Sequence, residues 1–390
     1  MKFNYDAYTI SQSDFLRENM EMTLEEALGR CSKAKRRGQF RQAEQYYSSI
    51  LNVAPTHPEA NYQLALLAVI ASRWPEAFLH FETAIEVSPN VSQYWINYIK
   101  NLINLDRTNK AKGALIKAIS LGHTGAAFTQ ISKQISEKLQ TKQNFSEQNP
   151  PKDTLQLLID LYVQGKMEGT LERAAILLNL FPNSITVLNL QGGAHAGLKQ
   201  FERAKISFQK ILDLYPNDAN ALNNVGNVFR EQGDLLGAIR NYSKALKINP
   251  EYPEAFNNMG LALHENGELD AAIYNYQRAL TINPRYPEVL NNLGNAQRNK
   301  GELANSIDNY KKALRLIPRY PEALNNMGLV LHEQGELDSA ISMYGQALEI
   351  NPNYAEAHNN LGNSHREKGD LNTALASYRK ASALNIDYPE

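Results

Sequence analysis

Residues 253–286 read PEAFNNMGLALHENGELDAAIYNYQRALTINPRY, and this stretch decides the fold. Pro253 suits the first turn of a helix, where its missing N–H leaves no bond unmade. Phe256, Met259, Leu261 and Leu263 follow, mostly at helical intervals, and Gly267 fits the left-handed position that ends a helix. A second helix carries Ala272, Ile273, Tyr276, Ala279 and Leu280 at three- and four-residue spacing until Pro284 stops it. Gly260, Ala272 and Ala279 are small where the two axes must approach, whereas leucine there would push them beyond the usual separation of about 8–10 Å. The stretch predicts a helix-turn-helix.

The same signals recur along the chain. Pro182, Pro216, Pro250, Pro284, Pro318 and Pro352 are 34 residues apart, as are Gly192, Gly226, Gly260, Gly294, Gly328 and Gly362. A further series is Gly233, Gly267, Gly301, Gly335 and Gly369. In register these give units at 151–184, 185–218, 219–252, 253–286, 287–320, 321–354 and 355–388, the first two degenerate. An earlier group keeps the same period through Ala43, Ala77 and Ala111 and through Pro55 and Pro89, giving units at 24–57, 58–91 and 92–125 and a solvating helix near 126–139. The expected organisation is an N-terminal extension (1–23), a first group (24–139), a polar linker (140–152) ending its run in two prolines, and an array (153–388) followed by the start of another repeat at 389–390.

The series Leu222, Val225, Gly226, Phe229, Ala238, Tyr242, Ala245 and Pro250 resembles the tetratricopeptide repeat (TPR), and five consecutive units carry it. The resemblance implies an all-α fold, a right-handed α-solenoid of stacked helix-turn-helix units whose first helices line a concave groove. No single helix pair can bury its apolar face alone, so stacking creates one continuous core. Alternate units are more alike than neighbours: 321–354 matches 253–286 at 24 of 34 positions but 287–320 at only 15. Asn227, Asn295 and Asn363 take turns with Leu261 and Leu329, and Arg230, Arg298 and Arg366 with His264 and His332. Duplication of a repeat pair accounts for this pattern.

Five first helices carry an Asn-Asn pair: 223/224, 257/258, 291/292, 325/326 and 359/360. Asparagine costs a helix interior about half a kcal/mol relative to alanine, so helix propensity does not explain them. A carboxamide both donates and accepts, which suits an extended peptide backbone. The second Asn of each pair, Asn224, Asn258, Asn292, Asn326 and Asn360, resembles the asparagine ladder of the O-GlcNAc transferase superhelix, which implies a role in holding polypeptide. The alternative is a bond to the adjacent repeat. Arg230, His264, Arg298, His332 and Arg366, with Asn227, Asn295 and Asn363, are expected in or beside the groove, either reading a partner or forming a mutually compensated charged rim. The carboxylate-clamp subclass needs lysines where this chain has Asn or Glu254, Glu288, Glu322 and Glu356, which argues against chaperone tails as ligands.

Composition restricts the alternatives. With 40 Lys+Arg against 41 Asp+Glu, no basic excess favours nucleic acid or an anionic membrane. The single Cys31 excludes an intramolecular disulfide and a cysteine-built metal site. The His-Glu pairs at 264–265 and 332–333 lack the second histidine that a zincin helix requires, and Gly192 to Gly197 has neither the preceding strand nor the Lys-Ser/Thr of a phosphate loop. No catalytic constellation, cofactor or metal is predicted. The start of the chain lacks a secretory apolar segment and the run Leu64–Ala71 is too short to span a bilayer, so a cytoplasmic protein is expected. The expected function is a non-enzymatic scaffold that binds a protein or peptide partner. The rival is the substrate-recognition region of a larger glycosyltransferase, sulfotransferase or methyltransferase, suggested by the Tyr388-Pro389-Glu390 ending and by the first group's likeness to bacterial leader repeats.

Overall fold

The computed structural model describes residues 24–140 and 149–384; residues 1–23, 385–390 and most of the expected linker, 141–148, lie outside the described residues. Every regular element among the described residues is an α-helix of 12–15 residues, from Leu24–Arg36 to Leu371–Leu384. The chain forms two compact units, one up to Ala194 and one from His195, divided within the helix Ile185–Gly197.

In the second unit the pairs 219–231/235–248, 253–265/269–282, 287–299/303–316, 321–333/337–350 and 355–367/371–384 follow the expected register. Each pair closes on a tyrosine of its second helix. Tyr242, Tyr276, Tyr310 and Tyr344 are completely buried, each ring lying on the glycine of the first helix. A Cβ built on Gly294 would stand 2.6 Å from Tyr310 Cε1, well inside contact distance, so this crossing requires glycine. The turn between the helices uses positive φ, +82° at Gly267, as the sequence predicts. Each pair also packs on its neighbours. Successive first helices touch, but successive second helices make no comparable contact and leave open grooves, one of about 550 Å³ lined by Leu280, Thr281, Asp308 and Lys312. The first helices are therefore the closely spaced, inner side of the stack.

In the first unit the pairs 24–36/40–53, 58–70/74–87 and 92–104/108–120 also fall in the expected places. The following helix does not. Ala126–Gln140 was expected to solvate the end of a group, yet Phe128, Ile131, Ile135 and Leu139 are buried and join one core running from Tyr62 to Val187. Met167–Leu180 packs more extensively on this helix than on its own sequence partner Lys152–Val163. Asn179 Nδ2 donates to Ser132 Oγ (2.9 Å), and the buried Arg173 guanidinium donates to the carbonyls of Ile119 and Gly122 (3.3 Å each) at the end of helix 108–120. Three elements thus converge where the linker was expected to separate two groups.

Candidate functional site

On the helix 253–265, residues 254, 258, 261 and 265 share one face, because they recur at steps of four, three and four. The same four positions on the helices of neighbouring repeats form parallel rows across the inner side of the second unit.

The central row contains the asparagines singled out in the sequence. Asn258, Asn292 and Asn326 are half-buried, and each donates an amide hydrogen to the first Asn of the preceding repeat. The bonds are Asn258 Nδ2 to Asn223 Oδ1 (3.1 Å), Asn292 Nδ2 to Asn257 Oδ1 (3.0 Å), Asn326 Nδ2 to Asn291 Oδ1 (3.0 Å) and Asn360 Nδ2 to Asn325 Oδ1 (3.0 Å). Asn360 is buried like its acceptor, while Asn224, the first of the row, is half-buried. The recurring pairing of two asparagines thereby gains a physical cause that propensity did not supply: one member holds the layer before, the other the layer after. Among the described residues no donor reaches Oδ1 of Asn292 or Asn326, so both carbonyls remain available as acceptors.

Three residues further along each helix the row alternates. Asn227, Asn295 and Asn363 accept from the hydroxyls of Tyr242 (2.7 Å), Tyr310 (2.6 Å) and Tyr378 (2.8 Å) of the same repeat. In the intervening repeats Leu261 and Leu329 stand there, and the buried hydroxyls of Tyr276 and Tyr344 have no hydrogen-bond partner. The repeat-pair alternation is thus a difference in how a buried phenol is satisfied. Tyr310→Phe is expected to lose about 1–2 kcal/mol by removing the donor from Asn295, and Tyr276→Phe to be neutral or stabilising. Urea unfolding of the two single variants measures the contrast.

The outer row pairs across repeats. Arg230 Nη1 lies 2.8 Å from Glu265 Oε1, Arg298 Nε 3.7 Å from Glu333 Oε1, and His332 Nε2 3.3 Å from Glu367 Oε1. Between them Asn299 Nδ2 bonds His264 Nε2 (2.7 Å). Burial lowers the pKa of His264, which fits an imidazole nitrogen accepting from an amide. At Arg230 burial works in the same direction and is the largest single effect, but the bond to Glu265 together with the charges of Glu265, Tyr242 and Glu231 outweighs it and raises the guanidinium pKa. Arg366 is exposed and forms no ion pair among the described residues. Arg230 and Arg298 thus face glutamates of the next repeat, while His264 is held by a neutral amide.

The remaining histidines of this unit's last repeat are engaged in packing or bonding. His358 is buried with Nε2 3.0 Å from the Pro352 carbonyl, and His365 lies 3.4 Å from Asp370. Among the described residues no group of three His, Cys, Asp or Glu side chains could hold a metal, and no helix is long and apolar enough to cross a membrane. Burial pushes the Cys31 thiol up to about 12, which makes it a poor nucleophile.

Sequence reasoning missed the tyrosine hydroxyls beneath the face and Arg173, and it used the inner row of glutamates only as a departure from the carboxylate clamp. Glu254, Glu288, Glu322 and Glu356 are exposed one turn before Asn258, Asn292, Asn326 and Asn360. Their 34-residue spacing was visible, and the absence of any lysine partner at the same spacing was the available signal.

No curated protein matches the sequence. Among solved structures, MamA is similar at 29% identity over 42% of this chain and 95% of its own (TM-score 0.38). YrrB, described as a TPR protein with an unusual peptide-binding site, is 23% identical over 46% of this chain and 93% of its own (TM-score 0.38). The APC/C hetero-tetramer Cut9–Hcn1 is 14% identical over 92% and 93% (TM-score 0.48). Family models described as TPR repeat or tetratricopeptide repeat match residues 33–92, 185–218, 226–267, 260–301, 294–335, 328–365 and 355–388, more than half of the chain. With the paired helices, the glycine–tyrosine crossings and the repeat-to-repeat stacking in place, these matches make the chain a member of the tetratricopeptide-repeat family.

Proposed function

We propose that this protein is a non-enzymatic interaction scaffold that holds an extended polypeptide along the asparagine row of its second unit. TPR architecture fits a protein-interaction scaffold in general terms. The single observation that supports the specific mode is the state of the row. Asn258, Asn292, Asn326 and Asn360 each give one amide hydrogen to the preceding repeat, and among the described residues the carbonyls of Asn292 and Asn326, on adjacent repeats, receive no donor. A row of fixed acceptors suits backbone N–H groups, which any sequence supplies in the same geometry. The rung bonds hold the acceptors in place beforehand, so less conformational freedom is lost when a ligand binds.

The test must separate binding from stability, because Asn292→Ala alone would strand the buried Oδ1 of Asn257. Removing both members of a rung avoids this. Asn257→Ala/Asn292→Ala and Asn291→Ala/Asn326→Ala are expected to retain the wild-type melting temperature and to weaken peptide binding about tenfold each. The ligand is a binder selected from an array of synthetic fifteen-residue peptides, measured by fluorescence anisotropy in native and backbone N-methylated forms. Equal affinity of the two forms would show that backbone amides are not what the row recognises.

A further inference from the structure

The glutamate row distinguishes this face electrostatically. The rim glutamates Glu265 and Glu333 are neutralised by arginines, but Glu254, Glu288, Glu322 and Glu356 form no ion pair among the described residues. Arg285 and Arg319, in the turns just before two of these helices, form none with them either. Among the described residues, the only side-chain bond to any of the four is from Asn325 Nδ2 to Glu356 Oε1, at 3.3 Å. Helix geometry places each carboxylate one turn, about 5.4 Å, from the ladder amide on the same face. Half-buried tyrosines interleave with them. Burial pushes Tyr320 up to about 12, and the carboxylates of Glu288 and Glu322, from two neighbouring repeats, add to the shift; Tyr286 is raised in the same way by burial and then by Glu254 and Glu288. Each of these two phenols therefore senses the glutamates of two neighbouring repeats. From beneath the same face, the fully buried hydroxyls of Tyr276 and Tyr344 have no partner among the described residues, and their counterparts Tyr242 and Tyr310 reach residues of this face.

Resting on the extended-polypeptide reading above, we infer that the bound polypeptide is basic, with lysine or arginine side chains seated over Glu254, Glu288, Glu322 and Glu356 while its backbone follows the amide row. Carboxylates supply the charge complement, and the tyrosine rings offer faces to which cations are attracted. The spacing agrees. Neighbouring inner helices lie about 10 Å apart, and a polyproline II segment repeats the same side every three residues, about 9.3 Å. One repeat thus matches three ligand residues, and the four glutamates match a segment of about twelve. Acidic residues in the first turn also favour the helix dipole, but that role is indifferent to any ligand.

The experiment measures fluorescence anisotropy of the full chain with three labelled twelve-residue peptides that differ only at every third position, which is lysine, glutamine or glutamate. The lysine peptide is expected to bind at least about tenfold tighter than the glutamine peptide and to weaken with salt, and the glutamate peptide to bind weakest. Glu254→Gln/Glu288→Gln/Glu322→Gln/Glu356→Gln is expected to remove that preference with only a modest fall in melting temperature, since all four side chains are exposed and lose mainly their favourable place at the helix dipole. Glu288→Lys/Glu322→Lys is expected to shift preference toward the glutamate peptide. If the three peptides bind equally, or if the lysine peptide binds the quadruple variant as well as the wild type, the cationic preference is wrong and the polypeptide groove survives. If none of the three binds, both readings fall.

Discussion

Gly294→Ala is expected to cost about 3 kcal/mol, whereas Gly345→Ala, the same chemical change fifty-one residues later, is expected to gain up to about 1 kcal/mol. At Gly294 the new methyl would lie 2.6 Å from Tyr310 Cε1 and 2.9 Å from Cδ1 and Cζ. That ring cannot turn aside. It is fully buried, and its hydroxyl is anchored 2.6 Å from Asn295 Oδ1, so relief requires the helix pair to separate and the neighbouring layers to follow. At Gly345, on the outer helix 337–350, no heavy atom lies within 4 Å of the added carbon, and only the intrinsic helical preference of alanine remains. Urea unfolding monitored by circular dichroism measures both. Equal and small effects would show that the close crossing does not support the repeat.

Arg173→Ala is expected to destabilise the first unit by about 2–4 kcal/mol. Arg173 is 5% exposed, and its guanidinium is the donor to two carbonyls at the end of helix 108–120. Burial lowers its pKa, yet arginine remains charged in proteins, so the side chain carries its positive charge against the negative end of a helix. Alanine removes the donors, the charge and the packing of the stem together, while Arg173→Met keeps most of the bulk and isolates the loss of the bonds. Amide exchange should accelerate across 108–140 in both variants and remain unchanged across 253–350. Uniform acceleration across the whole chain would contradict a local staple.

The repeats were legible because their determinants are local. A proline, a turn glycine and a small residue opposite a tyrosine each act within one helix pair, so a 34-residue period reveals them without three-dimensional information. The partners of the groove side chains were not legible, because they lie 35 residues away: Asn258 with Asn223, Arg230 with Glu265, and His264 with Asn299. That one-residue offset comes from the stagger between stacked layers, which the sequence period does not report. The alternation of Asn227 with Leu261 looked like a record of duplication until the phenols of Tyr242 and Tyr276 showed what each residue covers. Helix 126–140 was misjudged for a different reason. Phe128, Ile131, Ile135 and Leu139 have the spacing of a core stripe, but the residues between them are polar enough to suggest a cap. Arg173 carried no signal, since one arginine in an amphipathic helix has no pattern.

Because every rung and rim bond joins adjacent layers only, the array can lengthen or shorten by whole layers without losing its rungs. Excision of 253–320 would bring Asn326 against Asn223 and Glu333 against Arg230, reproducing the contacts that Asn291 and Arg298 make now. Excision of 287–320 alone would set His264 against Glu333 where it now meets the neutral Asn299. That new pair would be of the kind His332 and Glu367 form now, so the rungs set a one-layer step of growth while the sequence identities trace a two-layer one.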